Sequence, residues 1–287
     1  MRLKKGNLLN SVLIIYFYFI TDILIFGILG DYFVYMVLAV QMFIMVLAMS
    51  SFGELVFRTL YGSKEIITNE QKKYLEPIFM SVYMNILDKK PLMSKQIKLY
   101  IDNSMTVNAY ALGNNTITVT RGAIEMMTSD QLKGIIAHEF GHLYNGDTIT
   151  MLVLLGGNIY IVLTFFLTKL IKIILGACDM VTGSDKMYGN IGQIILWVLG
   201  MLASPFILFT HFVFEARKRK NEYMADKFAY DVGYGNHLIS ALYKLSKINL
   251  GGSKMSIIER LKASHPDIEN RIERLEYFTD NQNNSDG

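Results

Sequence analysis

One cysteine in 287 residues, Cys178, excludes an intramolecular disulfide and any zinc cluster built on cysteine. Charge is also scarce: charged residues make up 18% of the chain, and the net charge is only +3. No basic helix interleaved with aromatics is present, so nothing points to nucleic acid as a partner. There is no internal repeat. A cleavable leader is not expected either. Such leaders carry an apolar core of about 7 to 15 residues and a small-residue cleavage site. Here the first apolar run is longer and leads directly into a second, so the N-terminus is expected to stay attached.

Apolar residues are abundant instead. Their share is 52%, and the mean hydropathy is +0.29. Ordinary soluble domains reach about 45 to 50% even with Gly counted. The excess lies in blocks: Ser11 to Leu29, Tyr32 to Met49, Ile149 to Leu175 and Ile191 to Val213. Each meets the roughly 20 residues that cross a bilayer, so four membrane spans are expected. Arg2, Lys4 and Lys5 precede the first, and Arg217-Lys218-Arg219-Lys220 follows the fourth. Positive residues stay inside, which places both termini in the cytoplasm. Lys169 and Lys172 fall toward the outer end of the third span and would snorkel.

The spans divide the chain. Residues 1–50 read as a first transmembrane hairpin and 149–213 as a second. Residues 51–148 and 214–278 read as two segments of one cytoplasmic domain, and 279–287 as a polar, disordered tail. In the first segment, Leu75, Ile78, Phe79, Val82, Tyr83 and Ile86 mark a helix from about Asn69 to Leu87. Strand-like runs follow at Lys98 to Ile101, Val107 to Leu112 and Thr116 to Thr120. Gly113-Asn114-Asn115 joins the last two as a hairpin. In the second segment, Glu215 to Val232, Leu238 to Ile248, Ser256 to Ala263 and Asp267 to Phe278 look helical.

The chemistry is concentrated at His138-Glu139-Phe140-Gly141-His142. On a helix, positions i and i+4 share a face, so both imidazoles reach one metal ion while Glu139 leans over the water it holds. That is the pattern of a zinc hydrolase. Thr128-Ser129-Asp130-Gln131 is a capping box, and Leu132, Ile135, Ile136, Phe140 and Leu143 continue at helical spacing. Gly141 costs about 1 kcal/mol against Ala inside a helix, so a metal or a neighbouring backbone is expected to pack there. The plain alternative is a charged helix whose histidines merely fall four apart.

Two histidines need a third protein ligand and an open position for water. Glu222 is the best candidate. Asp226, one turn further on, is placed to bond a ligand histidine. An acid pair at this spacing is more often a solvated face, but topology favours the ligand reading. Two ligands of one metal must lie on one side of the membrane, and two spans separate His142 from Glu222. Both helices then run into spans, which puts the metal near the cytoplasmic membrane surface.

Several ordered pieces carry a resemblance: Asn108-Ala109-Tyr110-Ala111, Thr120-Arg121-Gly122, His138 to His142, Glu222 to Asp226, and Ser264-His265-Pro266. With the four-span layout, the chain resembles the M48 family of membrane zinc peptidases, most closely its HtpX-like heat-shock protease branch. The resemblance implies one Zn²⁺ on His138, His142 and Glu222, with Glu139 as general base and Asp226 supporting the metal shell. It also implies that Asn108 and His265 line the substrate cleft and help hold the transition state. Ala109 and Tyr110 belong with Asn108 on the substrate side. Arg271, near His265, is read as orienting the cleft, with a plain surface arginine as the alternative. Two departures are visible, Lys218-Arg219-Lys220-Asn221-Glu222 and His265-Pro266-Asp267, and neither touches a proposed ligand.

The expected architecture is therefore a mainly α integral membrane protein. Four transmembrane helices carry a cytoplasmic zincin-type α+β catalytic domain with a small β-sheet. The expected activity is zinc endopeptidase cleavage of misfolded or damaged membrane proteins in the plasma (inner) membrane, with polypeptide and the lipid bilayer as partners. Thr116 to Thr120, or its partner strand through Asn108, would offer an edge for an extended substrate. A prenyl-protein protease of the CAAX type, a non-catalytic zinc scaffold, and a transporter built around Asp22 are the competing readings. Asp22 would pair with a polar group of another span, such as His211.

Overall fold

The computed structural model describes residues 5–26, 30–60, 62–64, 69–91, 96–113, 115–182, 190, 192–194, 212, 219–249 and 268–285. Most of Ile191 to Val213, the helix expected from Ser256, and His211 and His265 lie outside the described residues. The elements in chain order are α1 (Lys5–Phe26), α2 (Asp31–Met49), α3 (Ser51–Leu60), β1 (Ser63–Lys64) and α4 (Asn69–Lys89). Next come β2 (Lys98–Asp102), β3 (Ala109–Leu112), β4 (Thr116–Thr120), α5 (Arg121–Met126), α6 (Ser129–Asn145) and α7 (Asp147–Thr182). The helical stretch 219–231 is α8, followed by α9 (Gly235–Asn249) and α10 (Ile268–Ser285). The protein is mainly helical with one small mixed sheet.

Two compact units form. One comprises Met1–Asn7, Glu54–Ile149 and Ala216–Gly287; the other comprises Leu8–Gly53 and Thr150–Glu215. In the first, the sheet order is β1-β2-β4-β3. β2 and β4 are parallel, while β1 and β3 run antiparallel to their neighbours. The alternation of Thr116-Ile117-Thr118-Val119-Thr120 explains why β4 is central: both its faces are buried. Ile117 and Val119 join the hydrophobic core with α4, α6, α8 and α9. The threonine hydroxyls are satisfied on the other face, Thr116 by Glu54 and Thr118 by Ser63 at 3.1 Å.

The hairpin expected across Gly113 forms, with Gly113 at φ +62° in the left-handed region. Its placement corrects one expectation: β4 offers no free edge, because β2 pairs along its whole length. The exposed edge near the site is β3. Side-chain alternation is silent about which strand neighbours which, so the parallel β2–β4 pairing was not readable locally.

α6 runs through the core of this unit. Thr128 and Gln131 close the expected capping box, and Gly146 in the left-handed region stops the helix. Phe140 stacks on Phe79 and Tyr83 of α4, with ring centroids 5.5 and 5.6 Å apart. The last helix corrects the tail: α10 continues to Ser285, well past Phe278. Tyr230 of α8 anchors that region by donating to the Phe278 carbonyl at 2.7 Å.

In the second unit, Ile14 and Tyr18 of α1, Met45 of α2, and Val153 and Leu154 of α7 form a small core. Its outward positions are apolar too, including Leu13, Tyr16, Phe43, Val46, Val162 and Phe166. Asp22 and Gln41 are buried within it. No single helix among the described residues is long and apolar enough to cross a membrane. One bent pair, Tyr35–Met49 with Ser51–Thr59, meets the length and composition together.

Candidate metal centre

α6 and α8 cross closely, and that crossing builds the site. A Cβ on Gly141 would stand 2.8 Å from the Ala225 Cα, so only glycine lets the two helices approach this far. The close neighbour expected at Gly141 is thus the backbone of α8. At this separation, Glu222 and Asp226, one on each side of Ala225, reach the two histidines of α6.

Three donor groups converge. The Nε2 atoms of His138 and His142 lie 3.2 Å apart. The Glu222 carboxylate stands 3.3 Å from His138 Nε2 and 3.5 Å from His142 Nε2. One ligand atom from each residue falls within 4.8 Å of the other two. Donors about 2.0 to 2.1 Å from a common zinc at tetrahedral angles stand roughly 3.3 Å apart, so the arrangement fits a tetrahedral ion. Among the described residues, two nitrogens and one carboxylate leave the fourth position open, as a catalytic rather than structural metal requires.

Both histidines are oriented from behind. His138 Nδ1 lies 2.9 Å from Asp226 Oδ1, and His142 Nδ1 lies 2.9 Å from Asp147 Oδ2. Each imidazole is thereby turned so that Nε2 faces the other donors. Asp147 was not anticipated from the sequence. It follows the helix-stopping Gly146 and opens α7, where it reads as an ordinary acidic first-turn residue.

Arg271 is buried, which removes the surface-arginine alternative. Its Nε and Nη2 donate to the two Asp226 oxygens at 2.8 and 2.7 Å, and its Nη1 lies 3.0 Å from Glu222. One guanidinium from α10 thus joins both acids of α8. It joins the metal group's carboxylates and also lines the small cavity beside Glu139.

The charge states follow. Burial opposes a charge on His142, but the Asp147 hydrogen bond with Glu222 and Glu139 nearby outweighs it and raises the imidazole to about 9. Burial and Arg271 likewise oppose a charge on His138. Asp226 and Glu222 outweigh them and raise it. Burial pushes the Asp226 carboxyl up, yet Arg271 and His138 bring it below the usual carboxylate range.

Glu139 is buried beside His138, and its Oε2 accepts from the Ala111 backbone N–H at 2.8 Å. That N–H points off the outer edge of β3, because Tyr110 and Leu112 are the residues turned toward β4 by the pairing that also joins Thr120 N–H to the Asn108 carbonyl. This bond was missed because a backbone donor carries no sequence signal. Asn108 and Ala109 line a small cavity of about 40 Å³ with Glu139, Ile135 and Leu238. Tyr110 is turned to the threonine face of the sheet, its hydroxyl 2.9 Å from Ser63 and 3.3 Å from Asp102, and burial pushes its ionisation up. The structure therefore brings His138, His142, Glu222, Asp226, Glu139 and Arg271 together and leaves the Tyr110 side chain elsewhere.

Comparison with known proteins adds to this geometry. The profile of peptidase family M48 matches residues 69–279. Protease HtpX of Idiomarina loihiensis is 27% identical over 226 residues, covering 74% of this chain and 75% of that protein. Protease HtpX of Haemophilus ducreyi is 30% identical over 193 residues, covering 61% of this chain and 64% of the other. The Protease HtpX homolog of Helicobacter pylori is 32% identical over 197 residues, covering 62% and 59%. The chain thus spans less than two thirds of the length of the last two. Among solved structures, S. mikatae Ste24p matches with a TM-score of 0.53 at 18% identity, over 91% of this chain and 62% of that one. That likeness concerns the fold.

Proposed function

This chain belongs to peptidase family M48, and with it to the metalloproteases, and from that premise we propose that it is a zinc endopeptidase embedded in the plasma (inner) membrane. Its substrates in this reading are misfolded or damaged membrane proteins, cut at the cytoplasmic surface. The observation that carries it is the convergence of His138, His142 and Glu222 with Glu139 alongside. The apolar outward surface of the unit built from α1, α2 and α7 supports the membrane half of the proposal. Four spans, with both termini in the cytoplasm, follow from the apolar runs and flanking basic residues.

His138, His142 and Glu222 would hold the zinc. The chemistry such an ion would supply there is a coordinated water with a pKa of about 7 and Lewis acidity toward the scissile carbonyl. Glu139 takes the water's proton and returns it to the departing amine, its carboxylate kept in place by the Ala111 N–H. Asp226 and Asp147 keep the imidazoles turned, and Arg271 holds the acids of α8. An extended peptide adds along the outer edge of β3, pairing with main chain, so recognition is broad. His265 and Asn108 donate to the negative charge that develops on the carbonyl oxygen.

The deciding experiment is cleavage of an unfolded model protein in detergent by zinc-loaded wild type and by Glu139→Gln. The variant should retain zinc and lose about 10² to 10⁴ in kcat. Equal cleavage by both, or none by either with zinc bound, removes the protease reading.

A further inference from the structure

The face of α8 opposite Glu222 and Asp226 borders a second cavity, of about 860 Å³, that shares no residue with the metal group. On a helix, Lys220, Tyr223, Met224, Lys227 and Asp231 recur at three- and four-residue steps and form one stripe, turned away from the stripe of the two acids. Among the described residues, Arg219 and Lys220 at the start of α8, Lys227, Arg274 of α10 and Lys90 beyond α4 put five cations in the wall, against the one carboxylate of Asp231. Lys227 bridges to Asp231, so among the described lining residues Lys90, Lys220 and Arg274 add three positive charges around one cavity with no second carboxylate in its wall.

Aromatic rings lie beside two of these cations. The Arg274 guanidinium lies 4.6 Å from the Tyr223 ring centroid, and the Lys227 ammonium lies 5.2 Å from both Tyr230 and Phe278. A stacked guanidinium keeps its edge available for a two-point bond to an oxyanion, and lysines add point charges around it. Cations gathered around one cavity repel one another, and an anion bound among them relieves that repulsion. The volume falls within the roughly 300 to 1,000 Å³ of small-molecule sites. Tyr144 and Phe228 in the same wall offer apolar surface beside the charges.

We propose that this cavity binds a phosphate-bearing anion, the anionic headgroup of a membrane phospholipid being the source that suits its place in the chain. Arg219 and Lys220 follow Arg217-Lys218 and the apolar run ending at Val213. In the membrane reading above, on which only the lipid source rests, that sequence puts α8 at the headgroup layer. A soluble phosphorylated compound shares the chemistry and is the other source.

The test uses the full-length, zinc-loaded protein in dodecyl maltoside and reads binding by native mass spectrometry. The probes are dioleoyl phosphatidylglycerol, dioleoyl phosphatidylcholine and acyl-free glycerol phosphate. Lys220 and Arg274 are exposed side chains, so Lys220→Gln with Arg274→Gln leaves the core unchanged. Wild type should bind phosphatidylglycerol in preference to phosphatidylcholine. The double variant should lose roughly tenfold or more in affinity, and Lys133→Gln, outside the cavity, should lose none. Glycerol phosphate binding as tightly as the lipid assigns the site to a soluble phosphate compound; much weaker binding assigns it to the lipid. No binding of either phosphate probe, equal binding of phosphatidylcholine, or an unimpaired double variant overturns the proposal. Because the assay reads no proteolysis, Glu139→Gln should bind as wild type does, which separates failure here from failure of the protease reading.

Discussion

At the residue scale, the chemistry depends on carboxylates placed behind the imidazoles. Asp147 is the sharper test of the two, since nothing in a zincin motif requires it. Asp147→Asn keeps the size but removes the charge that orients His142, and loss of such an outer partner costs about 10- to 100-fold in metal affinity. Competition with a chromophoric chelator measures this; an unchanged zinc affinity would falsify the orienting role. The same carboxylate governs pH behaviour. His142 rises from its ordinary 6.5 to about 9 in the metal-free site, so at pH 7 it holds a proton that zinc must displace. Calorimetry in two buffers of different ionisation enthalpy should show proton release on zinc binding at pH 7, vanishing as pH passes about 9. The raised value also means that this imidazole's stabilisation of the metal-free fold is complete below 6.5 and lost as pH climbs through about 9. The metal-free protein should therefore lose thermal stability across that window. His138, Glu139, His142 and Glu222 were readable from residue type and spacing. Asp147 and the Ala111 N–H were not, because an acid beginning a helix and a backbone amide look the same wherever they point.

At the scale of elements, one helix crossing decides whether the ligands meet. Gly141 of α6 lies against the Ala225 backbone of α8, and Gly134 lies likewise against Leu238 of α9, where a Cβ would stand 2.4 Å from the backbone nitrogen. Gly141→Ala should push α8 away and carry Glu222 and Asp226 with it. Overpacking of this kind costs typically about 1 to 3 kcal/mol. The expected outcome is a lower Tm together with weakened zinc binding. Gly134→Ala should lower Tm through α9, with a smaller effect on zinc. If both variants bind zinc equally well, the crossing at Gly141 does not set the ligand geometry. The helices α4, α6 and α9 were legible because their apolar residues repeat with the helical period. The order β1-β2-β4-β3 was not, since a parallel neighbour arrives from a distant part of the chain. The extension of α10 to Ser285 was not legible because its polar residues lack the apolar repeat that marks a packed helix.

At the scale of the whole molecule, the two units differ in what they present to solvent. The unit holding the metal group buries its apolar residues in one core, whereas the other leaves large apolar side chains outward along α1, α2 and α7. Alkaline carbonate washing of cell membranes should leave the chain in the pellet, as spanning segments require. Release into the supernatant would mean peripheral attachment and would undo the membrane proposal. Residue type and spacing alone determined that a His–Glu–His helix exists and that Glu222 is a candidate to join it, because the helical period is a local property written into every turn. Composition alone likewise marked four apolar stretches long enough to matter to a bilayer. The fold decided the rest: that Arg271 joins both acids of α8, that Asp147 stands behind His142, that β3 rather than β4 has the open edge, and that five cations surround one cavity. Each of those is a meeting of segments far apart in the chain. Such meetings depend on how closely packed helices and strands approach, a distance that no local pattern encodes.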